Sequence, residues 1–258
     1  MYEMLDPSRL VVFVTGATSG IGRAAVRRFA GAGAKVIAAG RRGDRLAELQ
    51  AEVGAERCLA VELDVRDRAA TERAIDAIPA PFAGINTVVA NAGLALGLEP
   101  AQKVDLADWE TMVDTNVKGL LYTVRTLLPR LESGGGHVVT VGSVAGDYPY
   151  PGGSVYAASK AFVRHFALGL RADLLGTQVR VTNIEPGMTE TEFSTVRFKG
   201  DEARARSKYE GVVSLSAEDI AESIFWATTL PRHVNINRIQ MMPVSQAFSP
   251  LSIHKEEP

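Results

Sequence analysis

The sequence predicts a single α/β domain with a doubly wound parallel sheet and helices on both of its faces. Short runs rich in β-branched residues alternate with longer helical patterns from one end of the chain to the other. The first run is continuously apolar and ends at Thr15–Gly16, which is typical of a strand buried on both faces. Neither a repeat with a period of roughly 20–50 residues nor a linker-like segment divides the chain, so one domain is expected over residues 1–258.

The predicted strands carry polar or glycine residues at their carboxyl ends. They cover residues 10–14, 35–39, 57–63, 87–90, 137–141 and 179–184, with a short last strand at 238–241. In open parallel sheets, ligands bind beyond the carboxyl ends of the strands. Since Asn91, Ser143, Pro186 and several glycines follow strands directly, we expect the functional site at this edge.

Helical patterns separate the strands. They cover residues 21–32, 44–53, 67–78, roughly 106–131, 154–175 and 217–230, with Asp44 and Ser216 as predicted caps. The segment from Thr189 to Tyr209 is charged and without helical or strand periodicity. We expect a substrate lid there, at about residues 188–212.

Composition and charge argue against several classes of protein. The formal net charge is −2, which gives no attraction to nucleic acid or to an anionic membrane surface. No apolar run has the length of a membrane span, and the run at residues 10–14 is too short for a signal peptide. The one cysteine, Cys58, has no partner for an internal disulfide and no His/Cys cluster around it, so no metal site is predicted. A cytoplasmic location is the default expectation.

A glycine-rich loop joins the first strand to the first helix. Gly16, Gly20 and Gly22 have the spacing Gly-x-x-x-Gly-x-Gly. Glycines let the backbone turn sharply and approach a ligand, and the following helix start offers unpaired N–H groups to a pyrophosphate. The loop therefore predicts a dinucleotide site that also includes Thr18, Ser19 and Ile21, with a purely structural turn as the alternative.

Two arginines after the second strand predict the type of dinucleotide. No acid stands at this strand end to hold the ribose 2′-hydroxyl of NAD, and Arg41 and Arg42 follow instead. Guanidinium groups suit the 2′-phosphate of NADP, so NADP(H) is the predicted cofactor, with a solvated basic turn as the alternative. Asp64, after the third strand, either accepts from the adenine amino group or caps the helix that starts near Asp67.

Tyr156 and Lys160 form the candidate catalytic pair. They lie four residues apart in a helical pattern, which places both side chains on one face of the helix. A phenol has a pKa near 10, and a nearby ammonium lowers that pKa, each unit being worth about 1.36 kcal/mol. The pair is therefore predicted to donate and accept a proton at neutral pH, the alternative being an ordinary solvated pair.

Together these motifs resemble the short-chain dehydrogenases/reductases over nearly the whole chain. The resemblance rests on the glycine loop, Asp64, Asn91–Ala92–Gly93, Asn116, Ser143, Tyr156 with Lys160, and Pro186–Gly187. It implies a Rossmann fold with a seven-stranded sheet, a homotetramer, and hydride transfer between C4 of a nicotinamide and a carbinol carbon. It also implies that Val65, Asn91, Ala92, Gly93, Pro186, Gly187 and Thr189 lie against the cofactor.

The resemblance implies a role for each catalytic residue. Tyr156 is the acid–base group, and Lys160 lowers its pKa and binds the nicotinamide ribose. Ser143 hydrogen-bonds the substrate oxygen, where two hydroxyl donors would stabilise the negative charge that ketone reduction builds up. Asn116 holds a water that links Lys160 to solvent, and Asn91 supports the nicotinamide side of the site.

A closer resemblance, to the NADP-dependent 3-hydroxy acid dehydrogenase branch, lies in residues 184–187, 191–201, 233–237 and 241–244. That branch oxidises serine, allo-threonine and related 3-hydroxy acids and reduces malonic semialdehyde. Met188–Thr189–Glu190 stands where the branch usually has a glycine-rich segment, at the entrance to the lid.

A 3-hydroxy acid substrate requires a cation for its carboxylate. The lid offers Arg197 and Lys199, and Arg197 is favoured because arginine binds a carboxylate bidentately; the alternative is a solvated lid face. Tyr150 and Tyr148 either line the substrate pocket or pack within their loop. Two other functions stay open: a reductase of an uncharged ketone, sugar or oxoacyl substrate, and a non-catalytic NADP-binding regulator. A serine hydrolase is set aside because Ser143 lacks the Gly-x-Ser-x-Gly context.

Overall fold

The computed structural model describes residues 3–249 and 252–255, which contain one seven-stranded sheet. Residues 1–2, 250–251 and 256–258 of the predicted domain lie outside the described part. All neighbouring strands are parallel, in the order β3-β2-β1-β4-β5-β6-β7. The strands are β1 Val11–Thr15, β2 Lys35–Gly40, β3 Cys58–Glu62, β4 Thr87–Ala90, β5 His137–Val141, β6 Arg180–Pro186 and β7 Arg238–Met241. The strand order reverses between β1 and β4, which opens a crevice for a ligand.

Helices cover both faces of this sheet, as predicted. They are α1 Gly20–Gly31, α2 Gly43–Val53, α3 Arg68–Asp76, α4 Leu106–Val113, α5 Gly119–Glu132, α6 Ser154–Asp173, α7 Phe193–Arg197, α8 Glu202–Arg206 and α9 Ala217–Thr229. Short 3₁₀ turns lie at Pro7–Arg9, Ala80–Phe82, Ala101–Lys103 and Val144–Gly146. Among the described residues, no helix is both long and apolar enough to cross a membrane.

Two apolar layers hold the helices to the sheet. Val12 and Val14 of β1 point into one layer with α1, α2 and α9, whereas Phe13 points into the other with α3, α5 and α6. Successive side chains of a strand face opposite sides of the sheet, so a continuous apolar run supplies both layers. Full burial of side chains of this size stabilises the fold by about 1.5–3 kcal/mol each.

Three local predictions differ from the structure. Asp44 lies in the first turn of α2 and does not cap it, because the helix begins one residue earlier, after Arg42. The predicted 106–131 helix is divided by a π-helical turn at Asp114–Lys118. The lid segment, predicted to be irregular, contains the short helices α7 and α8. Ser216 caps α9 as predicted, and Asp219 completes a capping box.

Candidate active site

A cavity of about 320 Å³ opens at the carboxyl ends of the strands. It collects the predicted residues of the glycine loop, the two arginines, the residues after β3 and β4, and the candidate catalytic residues of β5 and α6. The lining includes Gly16, Thr18, Ser19, Gly20, Ile21, Arg41, Arg42, Asp64, Val65, Asn91, Ala92, Gly93, Ser143, Tyr156, Lys160, Pro186, Gly187 and Thr189. Residues from distant parts of the sequence thus meet in one crevice.

The glycine loop is shaped by its packing against Asn91. Gly16 has φ +68°, a left-handed conformation, and a side chain there would reach 2.8 Å from Asn91 Nδ2. That nitrogen donates to the Thr15 carbonyl at 2.9 Å. Gly22 does not line the cavity; it is required because a side chain would strike the Gly16 carbonyl and Asn91. Asn91 therefore supports the loop directly, in addition to lying beside the predicted nicotinamide side.

The start of α1 fits a pyrophosphate. Its N-cap residue, Ser19, makes no side-chain hydrogen bond to the first turn. The first N–H groups of a helix have no partner within the helix and are positively polarised, so an anion can satisfy them. Together with the glycines, this end of the cavity has the shape and the donors that a dinucleotide requires.

The basic residues after β2 fit a 2′-phosphate. Arg42 donates from Nη2 and Nε to Thr18 Oγ1 at 2.8 and 3.1 Å, which holds its guanidinium over the glycine loop. β2 ends at Gly40, so no carboxylate stands at the strand end to accept a ribose hydroxyl. Arg41 lines the same cavity.

Asp64 does not cap a helix; Asp67 caps α3 by accepting from Ala70 N. The Asp64 carboxylate accepts from the guanidinium and the backbone N–H of Arg66, and these hydrogen bonds lower its pKa. Of the two predicted roles for Asp64, the adenine contact stays a prediction and capping is wrong.

Tyr156 and Lys160 lie on α6 and are both buried. Burial raises the pKa of Tyr156 to about 12, while the charge of Arg197 and the nearby Ser143 hydroxyl act in the opposite direction. Burial lowers the pKa of Lys160 to about 8. Lys160 Nζ donates to the Val141 carbonyl at 2.8 Å and lies 5.9 Å from the centre of the Tyr156 ring.

These pKa shifts run opposite to the one predicted for the pair. Desolvation of the phenolate is the largest influence, so the pKa of Tyr156 rises where Lys160 was expected to lower it. The phenol is therefore protonated at neutral pH and suited to donate a proton.

Asn116 lies in the π-helical turn and joins α6 to the loop after β4. Its Oδ1 accepts from Leu94 N at 2.8 Å, and its Nδ2 donates to Leu94 O at 2.8 Å and to Ser159 Oγ at 3.0 Å. Ser159 Oγ in turn donates to the Tyr156 carbonyl at 2.7 Å. Asn116 thus holds the helical turn that carries Tyr156. The role of Ser159 was missed, although a buried serine inside a helix requires a hydrogen-bond partner.

A second group that sequence reasoning missed supports the Ser143 loop. Glu185 of β6 is only 1% exposed and accepts from Asn183, Arg238 and Gln240. Arg238 also donates to Asp147, the residue that follows the 3₁₀ turn after Ser143, at 2.7 Å. Asn183 lies against Gly142, the residue before Ser143. The one available signal was a carboxylate at the end of an otherwise apolar strand.

The predicted lid segment places Arg197 against the candidate catalytic residue Tyr156. The guanidinium carbon lies 4.9 Å from the centre of the Tyr156 ring and 5.0 Å from that of Phe193. Its Nη2 donates to the Tyr150 hydroxyl at 3.1 Å. Lys199 points elsewhere, to Asp108 at 2.8 Å. Neither Arg197 nor Tyr150 lines the cavity itself; both pack at its wall behind Tyr156 and Phe193. Tyr148 packs edge-on against Phe248.

Comparison with known proteins places these features in a family. Residues 10–202 match the family model described as short chain dehydrogenase. The chain is 55% identical over 248 residues to the NADP-dependent 3-hydroxy acid dehydrogenase YdfG of Salmonella typhi, covering 95% of this chain and 100% of the relative. It is 50% identical over 245 residues to the serine 3-dehydrogenase of Agrobacterium fabrum (strain C58), covering 95% and 98% of the two chains.

A solved structure described as the closed form of serine dehydrogenase complexed with NADP+ superposes with a TM-score of 0.92. It is 52% identical to this chain, and the match covers 96% of this chain and 100% of that one. The predicted family and the seven-stranded α/β fold are therefore confirmed.

Proposed function

The chain belongs to the short-chain dehydrogenase family, and from that membership we propose that it transfers a hydride between NADP(H) and the hydroxyl-bearing carbon of a small 3-hydroxy acid. The 55% identity to a relative described as an NADP-dependent 3-hydroxy acid dehydrogenase carries the choice of an acid, and the candidate partner of its carboxylate is Arg197, whose guanidinium carbon lies 4.9 Å from the centre of the Tyr156 ring. A 3-hydroxy acid has its carboxylate two carbons from the reacting carbon, so a cation beside the catalytic phenol suits its length.

In this proposal, each side chain has a definite part in the reaction. When bound, the nicotinamide supplies or accepts the hydride at C4. In reduction, Tyr156 donates its proton to the substrate oxygen, and Ser143 donates a hydrogen bond to that oxygen as negative charge develops there. In oxidation, the phenolate form of Tyr156, a minor population at neutral pH, accepts the hydroxyl proton. The Arg197 charge and the nearby Ser143 hydroxyl both favour the phenolate and so offset part of the cost of its burial.

The other residues would position the two ligands. Lys160 holds the nicotinamide ribose, and Asn116 maintains a proton path beside it. The glycine loop and α1 bind the pyrophosphate, while Arg41 and Arg42 bind the 2′-phosphate. We also propose that residues 188–212 act as a substrate lid and that the protein is a cytoplasmic homotetramer. These last proposals rest on the family resemblance and, for location, on the single cysteine.

The test is steady-state kinetics of the purified protein with serine, allo-threonine and malonic semialdehyde, each with NADP(H) and NAD(H). We expect turnover of these substrates with a strong preference for NADP(H). If an uncharged alcohol is oxidised while serine and 3-hydroxypropionate are not, the substrate is a ketone or sugar alcohol and the acid assignment is wrong.

Replacing Arg197 by methionine is expected to lower kcat/KM for 3-hydroxy acids by about 100-fold, the usual cost of deleting a charged hydrogen-bond partner of a bound carboxylate. For uncharged secondary alcohols the loss should be below about 10-fold, because it reflects only the changed surroundings of Tyr156. Lys199→Met is the matched control, since it removes a lid cation that contacts Asp108. Equal losses for acids and uncharged alcohols would show that Arg197 does not bind the carboxylate.

A further inference from the structure

Glu192 links the lid segment to the arginines of the predicted 2′-phosphate site. It lies immediately before α7, and its carboxylate bridges two guanidinium groups. Oε2 accepts from Arg42 Nη1 at 2.9 Å, and Oε1 accepts from Arg45 Nη1 at 2.5 Å. Arg45 belongs to the first turn of α2 and was not among the predicted cofactor residues. The same carboxylate lines the cavity beside Arg41 and Arg42.

A carboxylate and a 2′-phosphate would bind to the same N–H donors of these arginines. Both are anions that bind guanidinium groups through paired N–H donors. All three nitrogens of Arg42 already donate, two to Thr18 and one to Glu192, which leaves a phosphate two of the five guanidinium N–H groups unless Glu192 releases the one that it holds. NAD has no 2′-phosphate and leaves the pairs of Glu192 intact.

The ion pairs of Glu192 with Arg42 and Arg45 are exposed enough for a phosphate to replace the carboxylate. The side chain of Glu192 is 44% exposed and that of Arg42 is 38% exposed, so solvent screens the attraction. Ion pairs of this kind contribute little, and a phosphate with nearly two negative charges competes well against one carboxylate. Replacement of the Glu192 carboxylate by the phosphate is thus favourable when NADP(H) binds. Because the existing ion pairs have to be broken, however, the net gain in binding free energy is smaller.

We propose that Glu192 is a specificity-determining residue that competes with the cofactor's 2′-phosphate for Arg42 and Arg45, and that Arg45 is a third cation of the phosphate site. This proposal rests on the proposed NADP(H) function. Because Glu192 is part of the lid segment, arrival of the phosphate also releases the ionic tether between that segment and the start of α2. Cofactors without the phosphate bind with the tether closed.

The test is a direct binding titration with NADPH and with NADH in the absence of substrate, in which the fluorescence of the nucleotide reports binding. Glu192→Gln should tighten NADPH binding by about threefold and leave NADH binding unchanged, because only the phosphate competes with the carboxylate. Arg45→Met should weaken NADPH binding by about threefold, again without effect on NADH.

Glu190→Gln is the matched control. It removes the same charge two residues earlier in the same segment, where, within the described part of the chain, the carboxylate accepts a hydrogen bond only from the Ser214 hydroxyl, at 3.4 Å. Tighter NADPH binding in Glu192→Gln but not in Glu190→Gln supports the proposal. Equal tightening in both variants, or unchanged or weaker NADPH binding in Glu192→Gln, overturns it.

The binding data also separate this inference from the function on which it rests. Wild-type protein that binds NADPH and oxidises serine, combined with an unaffected Glu192→Gln variant, refutes the role of Glu192 alone. Wild-type protein that binds NADH as tightly as NADPH refutes both the assignment of Arg41 and Arg42 and the role of Glu192.

Discussion

Replacing Tyr156 by phenylalanine is expected to lower kcat by roughly 10³-fold for oxidation and reduction alike, since both directions lose their proton-transfer group. The change removes only the hydroxyl. The ring can keep its contacts with Phe193, 5.5 Å away between ring centres, and with the Arg197 guanidinium. NADPH affinity should therefore stay within about twofold of the wild-type value, because the rest of the cavity wall is preserved. Single-turnover kinetics and fluorescence titration of NADPH measure the two quantities separately.

Tyr150→Phe is the matched control for this variant. It also removes one phenol hydroxyl from the same wall, but that hydroxyl accepts from Arg197 and belongs to a side chain that does not line the cavity. Its loss should cost less than about 10-fold in kcat, in line with one hydrogen bond. Turnover unchanged in Tyr156→Phe would refute the proposed mechanism. A wild-type protein that binds NADPH but turns over no alcohol would favour the non-catalytic regulator.

The fold could be predicted where one local signal dominates. The bounds of β4, β5 and β7 agree with prediction because each is a short run that is flanked by Asn or Gly or, at the end of β7, soon followed by a proline. The π-helical turn at Asp114–Lys118 was not predicted, since a single widened turn changes the apolar periodicity very little. Asp44 was taken as a cap because Asp is a favourable capping residue, but α2 begins after Arg42, whose side chain is held by Thr18 and Glu192.

The candidate site also has a part that could be predicted from local sequence and a part that could not. The glycine loop and the Tyr156–Lys160 spacing are local motifs, so their positions could be identified from the sequence. The hydrogen bonds of Ser159 to Asn116 and of Glu185 to Arg238 join residues 43 and 53 positions apart, and only tertiary structure brings them together. The direction of the Tyr156 pKa shift was also beyond reach, because it depends on how deeply the phenol is buried.

Because Lys160 is buried, we expect its replacement to lower activity while raising the stability of the fold. Lys160→Met is expected to lower kcat by about 10²–10³-fold, since the variant loses the proposed ribose contact and the cation of the proposed proton path. At the same time it should be more stable than the wild type at pH 7. Lys160 is only 6% exposed, and burial lowers the pKa of its ammonium to about 8 from 10.5. Folding therefore desolvates a charge at neutral pH, which a methionine of similar length avoids.

The pH dependence of this gain gives the decisive measurement. Below about pH 8 the lysine is protonated in both the folded and the unfolded chain, so the wild type bears the full desolvation cost. Between about pH 8 and 10.5 the folded chain binds fewer protons than the unfolded one, and wild-type stability rises with pH. The shift corresponds to about 3 kcal/mol, of which the lost hydrogen bond from the ammonium to the Val141 carbonyl offsets about 1.5–3 kcal/mol. The expected gain at pH 7 is thus at most about 1.5 kcal/mol, and it should decrease and reverse as the pH approaches 10.

Urea unfolding of the wild type and Lys160→Met at pH 7 and at pH 9.5 measures this difference. Lys118→Met is the control, because Lys118 is exposed and its hydrogen bond with Asp114 raises its pKa. An ammonium with a raised pKa stabilises the folded chain below its unfolded pKa, so this variant should show no gain at pH 7. If Lys160→Met is instead less stable than the wild type at pH 7, the hydrogen bond to Val141 outweighs the desolvation of the ammonium. Lys160 would then stabilise the fold as well as serve the reaction, and no conflict between stability and activity would exist at this position.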